Sequence, residues 1–235
     1  MNDTLDALVF YLIFVAAVTC HEAAHAWAAK MGGDLTAYRG GQLSLDPIPH
    51  MKREPIGMVL LPLISVSTLG WPLGYASTPY DPAWAERYPR RAAWMALAGP
   101  AANLGLVLVA ALVIHIGIGF GLFEAPDSLT LTSIVAAADG GQSGLVSGFA
   151  RGLSLFYSMN VLLWVLNLIP LPPLDGSGAL SLILPPEWNQ AYQRLLRQPM
   201  IGLLAIIVVW NLLGEIFYPI LFFSLTLLYP GLTYS

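Results

Sequence analysis

Residues Val18–Trp27 read VTCHEAAHAW, inside an apolar run that begins at Leu5. Two histidines and a glutamate there force a choice of fold. On a soluble helix they need no explanation; in a membrane span such groups are expensive and must face a partner, a cavity or an ion. Composition makes the choice. Hydrophobic residues are 57% of the 235 and charged residues only 10%, with mean hydropathy +0.68, whereas a soluble domain carries about a quarter charged residues. The chain therefore reads as an all-α polytopic membrane protein, expected to form a single membrane-embedded domain over residues 1–235 with the lipid bilayer as its main partner and no nucleic acid. The single cysteine, Cys20, rules out an intrachain disulfide. Met1–Asp6 has no basic segment, so the run from Leu5 reads as a retained span, not a cleaved leader.

The spans can be placed by hydropathy. The first runs from Leu5 to about Ala29, long enough to cross with some tilt. Clear spans follow from Ala92 to about Phe120 and from about Leu145 to Ile169. Met200–Leu213 and Ile216–Tyr229 read as two more, separated at Gly214-Glu215. Ile56–Gly70 is apolar but short and contains Pro62, which suits a re-entrant segment between the first two clear spans. The total is about five to six transmembrane segments.

Basic residues orient them. Lys30, Arg39, Lys52, Arg53, Arg87, Arg90 and Arg91 lie between the first two clear spans, and Arg194 and Arg197 follow the third. The stretch from Gly121 to Gly144 has Glu124, Asp127 and Asp139 and no Lys or Arg. The positive-inside rule then puts the N-terminus and 121–144 outside, and 30–91 and 170–198 in the cytoplasm.

His-Glu-x-x-His on a helix carries specific chemistry. His21 and His25 are four residues apart, so their imidazoles share one face and suit two nitrogen ligands of a tetrahedral Zn²⁺, one per chain. Glu22, beside the first ligand, can serve as general base towards a water activated by the metal. A third ligand is available in Asn167–Gly176, NLIPLPPLDG. Pro170, Pro172 and Pro173 end the preceding helix, and irregular backbone at membrane depth is tolerated only where it is buried or lines a cavity. Asp175 sits in that segment, and the inferred topology brings it to the depth of HEAAH. Zn²⁺ with neutral His21 and His25 and the carboxylates of Glu22 and Asp175 sums formally to zero charge. The cluster becomes tolerable in a low dielectric.

HEAAH in a first span and NLIPLPPLDG in a later one resemble the site-2 protease family of intramembrane zinc metalloproteases. Gly33–Ala37, Gly41–Pro47 with His50, and Ala98–Asn103 (AGPAAN) resemble its branch with a minimal membrane core, without PDZ or regulatory domains. The resemblance covers about Val9 to Leu184. It implies His21, His25 and Asp175 as zinc ligands, Glu22 as catalytic acid/base, Asn167 as a residue that helps to hold substrate, and Asn103 close to the site. It also implies regulated intramembrane proteolysis: hydrolysis of a peptide bond in or near a substrate's transmembrane segment, in a prokaryotic cell membrane, with the active site toward the cytoplasmic half. Two loops depart from the family pattern. Relatives often read Gly-Arg-Leu-Thr-Leu-Asn-Pro at Gly41–Pro47, and a Gly-Trp-Ala-Lys-Pro-like run at Gly70–Tyr75.

Other residues have blander expectations. His50 reads as a loop residue, His115 as hydrogen-bonded between helices, and Gly99, Ala101 and Ala102 as packing. Trp71, Trp84, Trp94, Trp188 and Trp210 read as interfacial anchors, and Glu215 as a residue between two short spans that caps or faces water. Ile56–Gly70 is a candidate edge for an extended substrate strand. Two competing functions remain at this level: a divalent-metal-binding membrane protein for transport or sensing, and a catalytically silent binding relative. The first leaves the glutamate beside His21 without a purpose, and the second leaves the whole constellation without one.

Overall fold

The computed structural model describes residues 3–138, 144–196 and 198–231; Asp139 and Arg197, used above for orientation, lie outside these. Four helices among them are long and apolar enough to cross a membrane. They are α1 (Asp3–Gly32), α6 (Pro89–Gly119), α7 (Gly144–Leu168) and α10 (Pro199–Leu228). Between α1 and α6 lie α2 (Thr36–Arg39), α3 (Pro47–Arg53), a π-helical turn (Ile56–Leu60) running into α4 (Leu61–Leu69), and α5 (Pro82–Arg87). A two-residue antiparallel pair, β1 (Phe123–Glu124) and β2 (Ala136–Ala137), closes the α6–α7 loop. After α7 come α8 (Asp175–Ala179), a 3₁₀ turn (Leu180–Leu182) and α9 (Pro186–Leu196).

The helices α1, α6 and α7 form the centre. Tyr11, Phe14, Val15 and Val18 of α1 pack with Met58 and Met159. Val107, Ala110 and Ile114 of α6 pack with Val161 and Val165 of α7 and with Phe217, Leu221 and Leu225 of α10. The opposite faces carry exposed Leu108, Leu112, Leu203, Ile207 and Phe223, as lipid-facing surfaces should.

The segment count differs from the sequence reading. One helix, Pro199–Leu228, stands where two spans were expected. Glycine is tolerated inside a membrane helix, and Pro219 does not break this one. Glu215 therefore sits exposed in mid-helix and caps nothing, and Trp210 is mid-helix as well. Ile56–Leu69 is an apolar helical segment, five π-helical residues followed by nine α-helical ones, shorter than a span. Because helical backbone bonds are internal, it offers no free edge for strand addition; the stretch without regular secondary structure is the one after it, residues 71–81. His115 is exposed and, among the described residues, makes no inter-helix hydrogen bond, since α6 turns Ile114 and Gly117 inward instead. Trp84 is buried and donates Nε1–H to the Gly32 carbonyl at 3.0 Å, so it locks the end of α1 and is no interfacial anchor.

Local chemistry ends α1 sharply. Gly33 takes φ +97°, and backbone bonds Gly33 N–H to Lys30 O (3.1 Å) and Asp34 N–H to Ala29 O (2.9 Å) close the last turn. Asp34 then accepts from the Thr36 N–H, the Thr36 hydroxyl and the Asp81 N–H at 2.9, 2.6 and 2.8 Å. One carboxylate thus ties the end of α1 to the far end of the irregular stretch. His50 is buried as a loop brace, its Nε2 3.0 Å from the Ser44 carbonyl.

Burial pushes the Asp34 carboxyl up, but the hydrogen bonds from Thr36 and Asp81, with Arg39 nearby, outweigh it and hold the carboxyl below its ordinary value. A depressed folded value stabilises fully above the carboxyl's ordinary range and is lost as pH falls through it. Asp34→Ala should lower the unfolding temperature in detergent at pH 7, by a loss of about 1–3 kcal/mol. The gap to wild type should narrow below about pH 4. An equal gap at pH 7 and pH 3 would show that charge is not its source.

Candidate metal centre

The middle of α1 places His21, Glu22 and His25 in the interior, at 6%, 5% and 5% exposure. Their donor atoms all lie within 4.8 Å of one another. The two Nε2 atoms are 2.9 Å apart. Asp175 reaches the same point from the other side of the molecule: its Oδ2 is 2.9 Å from His21 Nε2 and 3.2 Å from His25 Nε2. HEAAH and LDG thus meet, as the topology argument required.

Two glycines make the meeting sterically feasible. A Cβ on Gly176 would stand 2.3 Å from the Leu168 carbonyl oxygen and 2.5 Å from that of Ile169. Only glycine lets the chain fold back so tightly after α7 and present Asp175. A Cβ on Gly99 would stand 2.3 Å from His25 Nε2 and 2.5 Å from His21 Nε2. Gly99 was read as packing; it is the wall of the site, and the missing side chain leaves space in front of the imidazole nitrogens.

The other imidazole nitrogens fix the rings. His25 Nδ1 donates to the Met95 carbonyl at 2.7 Å. His21 Nδ1 donates to Asn103 Oδ1 at 2.6 Å. Asn103, fully buried, donates from Nδ2 to Asn160 Oδ1 at 2.9 Å, and Asn160 Nδ2 donates to the Phe156 carbonyl at 2.8 Å. A carbonyl can only accept, so this relay has one direction and leaves His21 with its proton on Nδ1. Both Nε2 lone pairs then face the Asp175 carboxylate and each other.

Such an arrangement repels itself unless a proton or a cation lies among the donors. Two nitrogens and a carboxylate oxygen form a donor set that zinc accepts, and two nitrogens on a tetrahedral zinc at ~2.0–2.1 Å lie about 3.3 Å apart. The observed spacings are close to that, so the residues fit the ion. Glu22 does not join the inner contact; its Oε2 accepts from the Thr78 hydroxyl at 2.7 Å.

Of the residues singled out in the sequence, His21, His25 and Asp175 are in mutual contact, Asn103 touches His21, and Glu22 is beside them. Asn167 is not: its Nδ2 donates to Leu163 O one turn back at 3.0 Å. Asn160 and Thr78 went unnoticed. Asn160 had a signal, as an amide within an apolar span, whereas Thr78 lies in a Ser/Thr/Pro-rich loop where nothing marks it.

Comparison with known proteins agrees with this geometry. Residues 9–208 match peptidase family M50. The chain is 28% identical over 186 residues to a Bacillus subtilis protein named "Putative zinc metalloprotease YwhC", covering 77% of this chain and 72% of that one. It is likewise 28% identical over 200 residues to "Putative zinc metalloprotease Rip2" of Mycolicibacterium smegmatis, covering 80% and 65%. The Rip2 protein of Mycobacterium tuberculosis strain H37Rv is 28% identical over 223 residues, covering 92% and 75%. No solved structure matches the chain. With its two histidines, its aspartate and the family match running through all of them, the chain belongs to peptidase family M50, the site-2 protease family that HEAAH and NLIPLPPLDG resemble.

Proposed function

We propose that this membrane metalloprotease is a zinc endopeptidase that cleaves membrane-protein substrates in or beside their transmembrane segments, as one membrane-embedded domain. In this reading His21, His25 and Asp175 hold one zinc, and Glu22 is the general acid/base. The observation that carries the proposal is the contact of His21 with Asp175 across 154 positions of sequence, at a point walled by Gly99.

Zinc, when bound, supplies a Lewis acid that polarises the scissile carbonyl and acidifies a water. The protein's own groups do the rest. Glu22 takes the proton of the attacking water on a carboxylate oxygen and returns it to the leaving amide nitrogen, so the peptide C–N bond breaks without net proton loss. Asn103 and the Met95 carbonyl keep both rings in register throughout. The apolar α1, α6 and α7 restrict water to what the site admits. A helical substrate hides its carbonyls in internal hydrogen bonds, so it must unwind locally before attack. Asn167 has committed one N–H to Leu163, and its second N–H and its carbonyl oxygen are the parts left for substrate. The distribution of Lys and Arg supports a site toward the cytoplasmic half of the membrane, and the bacterial relatives support a prokaryotic cell membrane.

The decisive cleavage test uses the full chain in proteoliposomes with a single-span membrane protein whose cytoplasmic third is weakened by Gly and Pro. Wild type should cut it, and Glu22→Gln should cut at least about 10²-fold more slowly while keeping its zinc. Cleavage by Glu22→Gln at the wild-type rate would refute the role of Glu22. Zinc content gives a second expectation: about one ion per chain in wild type, and most of it lost in His21→Ala and in Asp175→Ala. An Asp175→Ala protein that retains zinc like wild type would remove Asp175 from the ligand set. Gly99→Ala should weaken zinc retention against a chelator by about tenfold or more, because its methyl group falls on the imidazole nitrogens. Unchanged retention would mean that α6 can shift away.

A further inference from the structure

Residues 71–81 form an irregular strap that reaches the HEAAH region at Thr78; Trp71 and Ala76 seat it on apolar side chains, and a series of polar anchors holds the rest. The Leu73 N–H donates to Ser65 Oγ at 2.7 Å and the Tyr75 N–H to the Gly57 carbonyl at 3.1 Å. The Ser77 hydroxyl donates to Glu54, Arg53 Nε donates to the Ser77 carbonyl at 3.1 Å, and the Asp81 N–H donates to Asp34. Two facing glycines press the strap down: a Cβ on Gly57 would stand 2.1 Å from the Tyr75 carbonyl oxygen, and one on Gly74 2.3 Å from that of Gly57.

Thr78 is the one strap residue that reaches the catalytic constellation. Its Oγ1 lies 2.7 Å from Glu22 Oε2 and 2.9 Å from the Glu22 backbone carbonyl. Among the described residues, no other hydrogen bond to the Glu22 carboxylate is present. Glutamate has three rotatable side-chain bonds, so without a partner its carboxylate would sample orientations useless for proton transfer.

We propose that Thr78 is a positioning residue: its hydroxyl holds the Glu22 carboxylate where it takes and returns the proton. The inference rests on reading Glu22 as the acid/base. Three features suit Thr78 to this task. Backbone anchors on either side, at the Tyr75 N–H, the Ser77 carbonyl and the Asp81 N–H, place it independently of Glu22 and of the Ser77 hydroxyl, so the contact is preorganised. Its β-branch restricts χ1, which fixes the direction of the hydroxyl. Its single hydrogen has two acceptors within reach, only one of which it can serve at a time. When Glu22 carries the proton, the Thr78 hydrogen can turn to the Glu22 carbonyl and its lone pair can face the carboxyl. The hydroxyl therefore keeps a partner through the whole proton cycle.

The test compares Thr78→Val, which keeps the shape and removes the hydroxyl, with Thr78→Ser, which keeps the hydroxyl, and with Ser77→Ala, which loosens the strap without touching Glu22. The full chain is reconstituted with the weakened single-span probe; kcat, KM, zinc per chain and unfolding temperature are read for each. Thr78→Val should lose about 10- to 100-fold in kcat, with KM within about twofold and with zinc and unfolding temperature as in wild type. Thr78→Ser should recover most of the rate, and Ser77→Ala should stay near wild type. If Thr78→Val matches wild type while Glu22→Gln is inactive, the positioning role falls and the protease reading stands. If Ser77→Ala loses as much as Thr78→Val, or Thr78→Val also loses zinc or unfolds earlier, the strap acts structurally and the role falls again. If wild type does not cut the probe, or Glu22→Gln cuts it as fast, the acid/base reading falls and takes the role of Thr78 with it.

Discussion

Three lone pairs aimed at one point, from His21 Nε2, His25 Nε2 and an Asp175 oxygen, are the constraint on which the rest of the structure depends. At membrane depth the dielectric is low, so their mutual repulsion is poorly screened and unpaired charge is expensive. A divalent cation turns that repulsion into attraction. Every backbone feature nearby can be read as serving the convergence. α1 supplies two donors one turn apart; α7 stops at Leu168 so that the chain can turn back; Gly176 allows the turn and Gly99 leaves the space. Remove any of these and the donors no longer meet, although each helix would still form.

The second constraint is that irregular backbone beside such a site must be satisfied without regular structure. The connection from α1 to α6 does this with side chains. Asp46 and Asp81 cap α3 and α5 by accepting from the Ile48 and Ala83 N–H groups, each 2.9 Å away and each ahead of a first-turn proline. Asp34 joins the two ends of the connection. Polar anchors of this kind hold an irregular strap over the site without the internal backbone bonds of a helix.

What could be read from the sequence follows from the range of each signal. HEAAH was legible because metal ligation on a helix has a local period, and Asp175 because prolines announce a break that a membrane segment must justify. Three of the four long helices were visible by hydropathy alone. The split of residues 200–229 was a misreading of Gly214-Glu215: a glycine and one charge weaken a helix but do not end it. His115 and Trp84 were misjudged because burial depends on which way a helix faces its neighbours, and one residue's step of about 100° reverses the answer. Thr78 and Asn160 act across 56 and 57 positions of sequence, on Glu22 and Asn103 respectively. No periodicity or spacing encodes a contact of that range in a single sequence.

The relay behind His21 shows how far outside the cluster its chemistry is decided. An imidazole can offer Nε2 to a metal only if its proton sits on Nδ1, and an asparagine can accept that proton's hydrogen bond only if its amide points the right way. In isolation Asn103 could flip. It does not, because Asn160 faces it with an oxygen, and Asn160 is oriented by the Phe156 carbonyl, which has no hydrogen to give. The tautomer of a residue on α1 is thus set by a backbone group of α7, through α6. The same three helices therefore bury the site, shape it and decide which nitrogen it presents. A shift of α7 along its axis by a single residue would turn Asn160 away and free that choice.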